Sequence, residues 1–107
     1  MKKFNTLYVS KWADGKPEDT RIIETPTYSL HSMIAGDACE RTELIADYCT
    51  EHEIHSLVLC PGFTHDMVAE LSRALKGRTA VAVSRTDAPG SSITAPVKRE
   101  ARKGLQE

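Results

Sequence analysis

The chain has 107 residues, 40% hydrophobic and 27% charged, with a formal net charge of −1. That length suits one domain around one hydrophobic core, and the near-zero charge lacks the cationic field that nucleic-acid binding draws on. No stretch approaches the roughly 20 apolar residues of a membrane span, so neither a nucleic-acid nor a membrane partner is expected.

The opening Met1-Lys2-Lys3 has the charge of a signal peptide, but the apolar run behind it is short and broken by Asn5 and Thr6. The cysteines, Cys39, Cys49 and Cys60, are odd in number and include no Cys-x-x-Cys pair. A reducing compartment, the cytoplasm, is the expectation. A chain this short leaves much of its surface exposed, so self-association into a homo-oligomer is expected too.

Phe4–Ser10 predicts a strand with both faces at least partly buried. Lys11–Asp19 is a loop with turn signals at Asp14-Gly15 and Lys16-Pro17. Arg21–Glu24 is a short extended piece closed by Pro26, and Tyr28–Ala35 is a second strand. Asp37–Glu53 predicts a helix. Asp37 is a good N-cap with Glu40 three residues on, and Ala38, Thr42, Ile45 and Cys49 form its buried stripe.

Ser56–Cys60 is a nearly continuous apolar run, the pattern of a central strand covered on both faces. Thr64 caps a second helix whose apolar stripe is Met67, Val68, Leu71, Ala74 and Leu75. Gly77 stops it, and Thr79–Ser84 is the last strand.

Strands alternating with helices predict an α/β fold with a mostly parallel sheet of about four strands and flanking helices. The order is strand, loop, strand, helix, strand, helix, strand. Residues 1–85 form the core domain. Residues 86–107 are a linker, Asp87–Ser92, and then a short basic helix or tail from Pro96. That basic segment could pack on the acidic helix around Glu43, Asp47 and Glu51, in its own chain or a neighbouring one.

In open parallel sheets, ligands bind outside the carboxyl ends of the strands. Three junctions are expected on that rim: Gly36-Asp37, the segment Cys60-Pro61-Gly62-Phe63-Thr64-His65, and Ser84-Arg85. A small anionic metabolite held by Gly36, Gly62, Thr64, His65 and Arg85 is the first functional expectation. A small enzyme using Cys60 or His65 is the second. An oligomerisation module is the third. Trp12 is a candidate interface or cavity wall.

Histidine and cysteine spacing supports no metal site. The phosphate-loop, dinucleotide, nucleophile-elbow and zinc-protease motifs are absent, so no cofactor is expected.

Ile23-Glu24-Thr25-Pro26, the strand end Cys60-Pro61-Gly62-Phe63, and Val81–Arg85 resemble a small family of uncharacterised bacterial single-domain proteins with a Cys-x-Gly-Phe strand end. The likeness spans roughly residues 4–85. It implies this fold and this rim, and no reaction.

Overall fold

The computed structural model describes residues 2–36 and 42–106. It is a single α/β domain with a five-stranded sheet in the order β2-β3-β1-β4-β5. The strands are β1 (Phe4–Ser10), β2 (Arg21–Glu24), β3 (Tyr28–Ile34), β4 (Ser56–Leu59) and β5 (Ala80–Val83). Three helices follow the same chain order: α1 (Thr42–Glu51), α2 (His65–Ala74) and α3 (Gly90–Lys103).

The middle strand is β1, parallel to both β3 and β4, and β4 is parallel to β5. The fifth strand is Arg21–Glu24, an extended piece in the sequence and an antiparallel edge strand on β3 in the fold. Its hairpin is built by threonine. Thr25 Oγ1 accepts the backbone N–H groups of Thr27 at 3.3 Å and Tyr28 at 3.0 Å. Pro26 sits in that turn, where its missing N–H costs nothing. A short edge strand with charged ends also discourages further pairing.

The covered face of the sheet carries Leu7, Val9, Met33, Leu57 and Leu59, all buried under α1 and α2. The sequence stripe of α1 supplies Thr42, Ile45 and Cys49, all buried. The start expected at Asp37, with Glu40, Ala38 and Cys39, lies outside the described residues. In α2, Leu71 is buried, and Leu75, its C-cap, is buried as well. Met67 and Val68 pack partly against them, while Ala74 is exposed. Thr64 caps α2 by accepting the Met67 N–H at 3.2 Å. Gly77 ends the helical segment with φ +80°, a left-handed conformation that a side chain would strain.

The other face is open, which corrects the expectation that β4 is covered on both sides. Register places Ile23, Leu30, Thr6, Ser56 and Ala80 in one row across it. Arg21, Ser32, Tyr8, Val58 and Ala82 form the next row. Tyr8 lies across this face and donates to Ser84 Oγ at 3.2 Å, because Ser84 Oγ itself donates to the Leu59 carbonyl.

Helix α3 begins at Gly90, inside the stretch read as a linker, and carries Pro96 in its interior. None of its residues is buried. Its described ion pair, Lys103 with Glu100, is internal to the helix, and no described pair joins it to the acidic residues of α1. No described helix is long and apolar enough to cross a membrane.

Candidate functional site

The carboxyl edge of the sheet holds a cavity of about 250 Å³ lined by Lys11, Trp12, Ala13, Gly36, Gly62, Arg102 and Leu105. Lys11–Ala13 follow β1, Gly36 follows β3, and Gly62 follows β4, so parallel strands bring these three segments together. The wall beyond them comes from the end of α3 and the 3-10 turn Gly104–Gln106.

The turn after β1 is packed tightly on the end of β3. Gly15 N–H donates to the Trp12 carbonyl at 3.0 Å. A Cβ on Gly36 would lie 2.2 Å from the Gly15 carbonyl oxygen, and Gly36 has φ +60°. Only glycine meets both demands. Gly62 is different, because a Cβ there would meet Cys60 Sγ at 3.5 Å and Lys11 Cβ at 3.6 Å, ordinary contacts. The guanidinium of Arg102 lies over the Trp12 ring at 5.0 Å, a cation–π contact that draws α3 onto the rim.

The rim residues expected from sequence divide. Gly36 and Gly62 line the cavity together. Thr64 uses its hydroxyl as the cap of α2. His65 is exposed and makes no hydrogen bond among the described residues. Arg85 leaves the end of β5, but its side chain is 81% exposed and pairs with Asp87 at 3.1 Å rather than lining the cavity. Among the described residues, the cations that line the cavity are Lys11 and Arg102. Sequence reasoning missed both: one had no motif, and the other belonged to a segment whose path is set by tertiary contacts.

Cys60 is half-buried, and its Sγ accepts the Lys11 N–H at 3.1 Å. The thiol ties the start of the rim loop to the end of β4, and no described hydrogen bond joins it to His65. Cys49 is buried in the core, which pushes its thiol up to about 12 and keeps it protonated. Among the described residues no group of three or more side chains is placed to hold a metal ion.

A second polar cluster sits under α1. His31 is 5% exposed and is held at both ring nitrogens, by Tyr48 Oη at 2.6 Å and Ser29 Oγ at 3.1 Å. Ser29 donates to Asn5 Oδ1 at 2.7 Å. Ser29 Oγ is therefore free to accept from His31 Nε2–H, and Tyr48 donates to Nδ1, which assigns the neutral tautomer from the network.

Tyr48 is stacked on His52, with ring centroids 3.9 Å apart. Burial first, and the nearby His52 second, hold the His31 imidazole below its ordinary value, against a weaker opposing pull from Glu24. Burial likewise raises the Tyr48 phenol. At His31 the folded state therefore binds fewer protons than the unfolded chain. Its stability contribution is complete above the unfolded histidine value of about 6.5 and is lost as pH falls through the lower folded value. The melting temperature is expected to drop between neutral pH and pH about 5, and part of that slope is expected to vanish in His31→Gln. An unchanged slope in the variant would refute this assignment.

The cluster borders an open groove of about 700 Å³ whose floor includes Ile22, Met33 and Tyr48 and whose rim includes Glu18, Asp47 and Glu51. Three carboxylates against His52 give that groove an acidic lining. A third cavity, about 330 Å³, lies at the amino end of the sheet with Lys2, His55 and Arg78 opposed by Glu53. Its Arg78 is engaged by the Ala74 carbonyl at 2.6 Å. Among the described residues, the rim cavity at the carboxyl edge pairs two cations with no lining carboxylate.

Comparison with known proteins adds the lineage. No curated protein and no solved structure matches this chain. A family model described as "Family of unknown function (DUF6506)" matches residues 2–97, the whole sheet and the first half of α3, ending before Arg102. With that span matched, the chain belongs to this family of unknown function.

Proposed function

We propose that the protein binds a small anionic metabolite, a carboxylate or phosphate ester, in the cavity at the carboxyl edge of its sheet. The observation that supports this reading is the lining itself: Lys11 and Arg102 with the Trp12 ring and two glycine backbones, and no acidic side chain among the described residues. Arg102 offers a planar fork of donors to an oxyanion. Trp12 offers a flat apolar wall to the rest of the ligand. At about 250 Å³ the cavity suits a molecule below drug size.

Two features favour binding over catalysis. Cys60 has no described hydrogen bond to a general base, and His65 has no described partner to orient it as an acid or base. A nucleophile normally stands within hydrogen-bond reach of its base.

The chain has a single tryptophan, Trp12, so its emission reports on this cavity directly. Titration with phosphate, simple di- and tricarboxylates and nucleoside monophosphates is expected to change that emission for at least one of them. The same anion is expected to raise the melting temperature. Arg102→Ala removes a charged hydrogen-bond donor worth about 1.5–3 kcal/mol, an affinity loss of roughly 10- to 150-fold. Arg85→Ala is expected to leave the affinity unchanged. If no anion shifts either signal, or if Arg102→Ala binds as tightly as the parent, the reading fails.

A further inference from the structure

We propose that α3 and the turn behind it form a lid on the rim cavity, latched by Arg102 on Trp12, and that the bound anion closes it by bridging Lys11 and Arg102.

The cavity is built from two parts of the chain. Lys11, Trp12, Ala13, Gly36 and Gly62 belong to loops anchored in the sheet, while Arg102 and Leu105 come from the far end of α3 and its turn. The two parts are held in different ways. Helices α1 and α2 sink Ile45, Cys49 and Leu71 into the core. Helix α3 has no buried residue. Its half-buried residues, Ser91, Ala95 and Lys98, form one narrow stripe at i, i+4 and i+7 with little apolar surface to remove from water. Its larger apolar residues, Ile93 and Val97, are 71% and 66% exposed.

Polar contacts add little further anchorage. The described hydrogen bonds of residues 90–106 close within residues 87–106. Their described ion pair, Lys103 with Glu100, is internal to the helix. The stretch Ser84–Pro89, which joins α3 to β5, is neither helix nor strand, and it is exposed from Arg85 onward. The described charged contact between the two parts is the Arg102 guanidinium, 5.0 Å above the Trp12 ring. A segment with few buried apolar contacts opens separately from the core. An exposed cation–π contact biases that opening by only roughly 2- to 5-fold.

An anion changes the balance. A guanidinium stacks by its face, which leaves its N–H edge available to an oxyanion. Lys11 stands on the sheet side of the cavity and Arg102 on the lid side. An anion held by both makes its full set of contacts only when the lid is down, so it binds the closed state better and shifts the chain toward it. Closure and affinity are then linked reciprocally. Closure by the anion rests on the function proposed above; the latch does not.

Hydrogen–deuterium exchange of the full chain, read by mass spectrometry at neutral pH, tests both. In the free protein the amides of α3 are expected to be about 100-fold or more less protected than those of α2. Arg102→Ala is expected to lower α3 protection by a further 2- to 5-fold, roughly the bias of the latch. Arg99→Ala, exposed on the same helix and away from the cavity, is expected to keep parental protection. Inorganic phosphate, citrate and adenosine monophosphate are then added at concentrations that saturate the Trp12 emission change. An anion that gives such a change is expected to raise α3 protection by about tenfold or more. An α3 as protected as α2 in the free protein overturns the lid, and so does Arg102→Ala with parental protection. An anion that changes Trp12 emission and leaves α3 protection as it was overturns closure while anion binding stands. If none of the three changes the emission, closure by an anion fails together with the proposed function, and the latch is still decided by the free protein and Arg102→Ala.

Discussion

Gly36→Ala is expected to destabilise the fold by about 2–4 kcal/mol, which lowers the melting temperature by roughly 10–25 °C. Two independent costs add there. The φ of +60° strains any residue with a Cβ, and that Cβ would stand 2.2 Å from the Gly15 carbonyl oxygen. The turn is seated on β3 at Gly15 too, where a Cβ would meet Ile34 Cγ2 at 2.1 Å. Relief requires the Trp12–Gly15 turn to lift off the end of β3, and Trp12 moves with it. Gly36→Ala is therefore expected to lose the anion response of Trp12 as well as stability. Gly62→Ala is the contrast, since its Cβ meets only ordinary contacts, and it is expected to melt near the parent. Thermal denaturation of both variants followed by circular dichroism decides. Equal melting temperatures for the two would show that the turn is not packed as described.

The second large effect is in the core. Leu7 is fully buried on the middle strand, with His31 and Leu57 beside it in register and α1 and α2 on that face. Leu7→Ala is expected to cost about 2.7–5 kcal/mol, the transfer of the side chain plus the cavity it leaves. A domain of ordinary stability, about 5–15 kcal/mol, would lose a large share of it. Val58 is Leu57's chain neighbour but points to the open face, where it is half-buried. Val58→Ala is expected to cost about 1 kcal/mol or less, since fewer contacts are lost. Urea denaturation at low micromolar protein measures both. Comparable losses for the two variants would contradict a core confined to one face.

Much of the architecture was legible along the chain. Phe4–Ser10 stands in the fold as a strand with the bounds read from its sequence. Thr64, Leu71, Leu75 and Gly77 mark α2 through capping, periodicity and a left-handed stop, each a local property of a few residues. The stripe of Thr42, Ile45 and Cys49 was equally clear.

Arg21–Glu24 was harder. Four residues with exposed side chains carry no burial pattern, and only pairing with β3 makes them a strand. Helix α3 starts earlier than its sequence indicates, because Gly90-Ser91-Ser92 reads as a linker and Pro96 reads as a first-turn residue. Nothing in its local composition shows that it returns to the rim. Within the candidate site, Gly36 and Gly62 were legible from their strand-end positions. Lys11 and Arg102 were not, since a lone cation has no spacing to betray it.

The periodicity of apolar residues determined β1, α1 and α2 and which side of α1 and α2 is buried, because those choices are settled within a few residues by backbone geometry and side-chain spacing. Which cations share a cavity, which sheet face is left bare, and where the last helix lies were decided only by the folded chain. Those are contacts between residues far apart in sequence, as between Trp12 and Arg102. They exist only once strand order and register have brought distant segments to the same place.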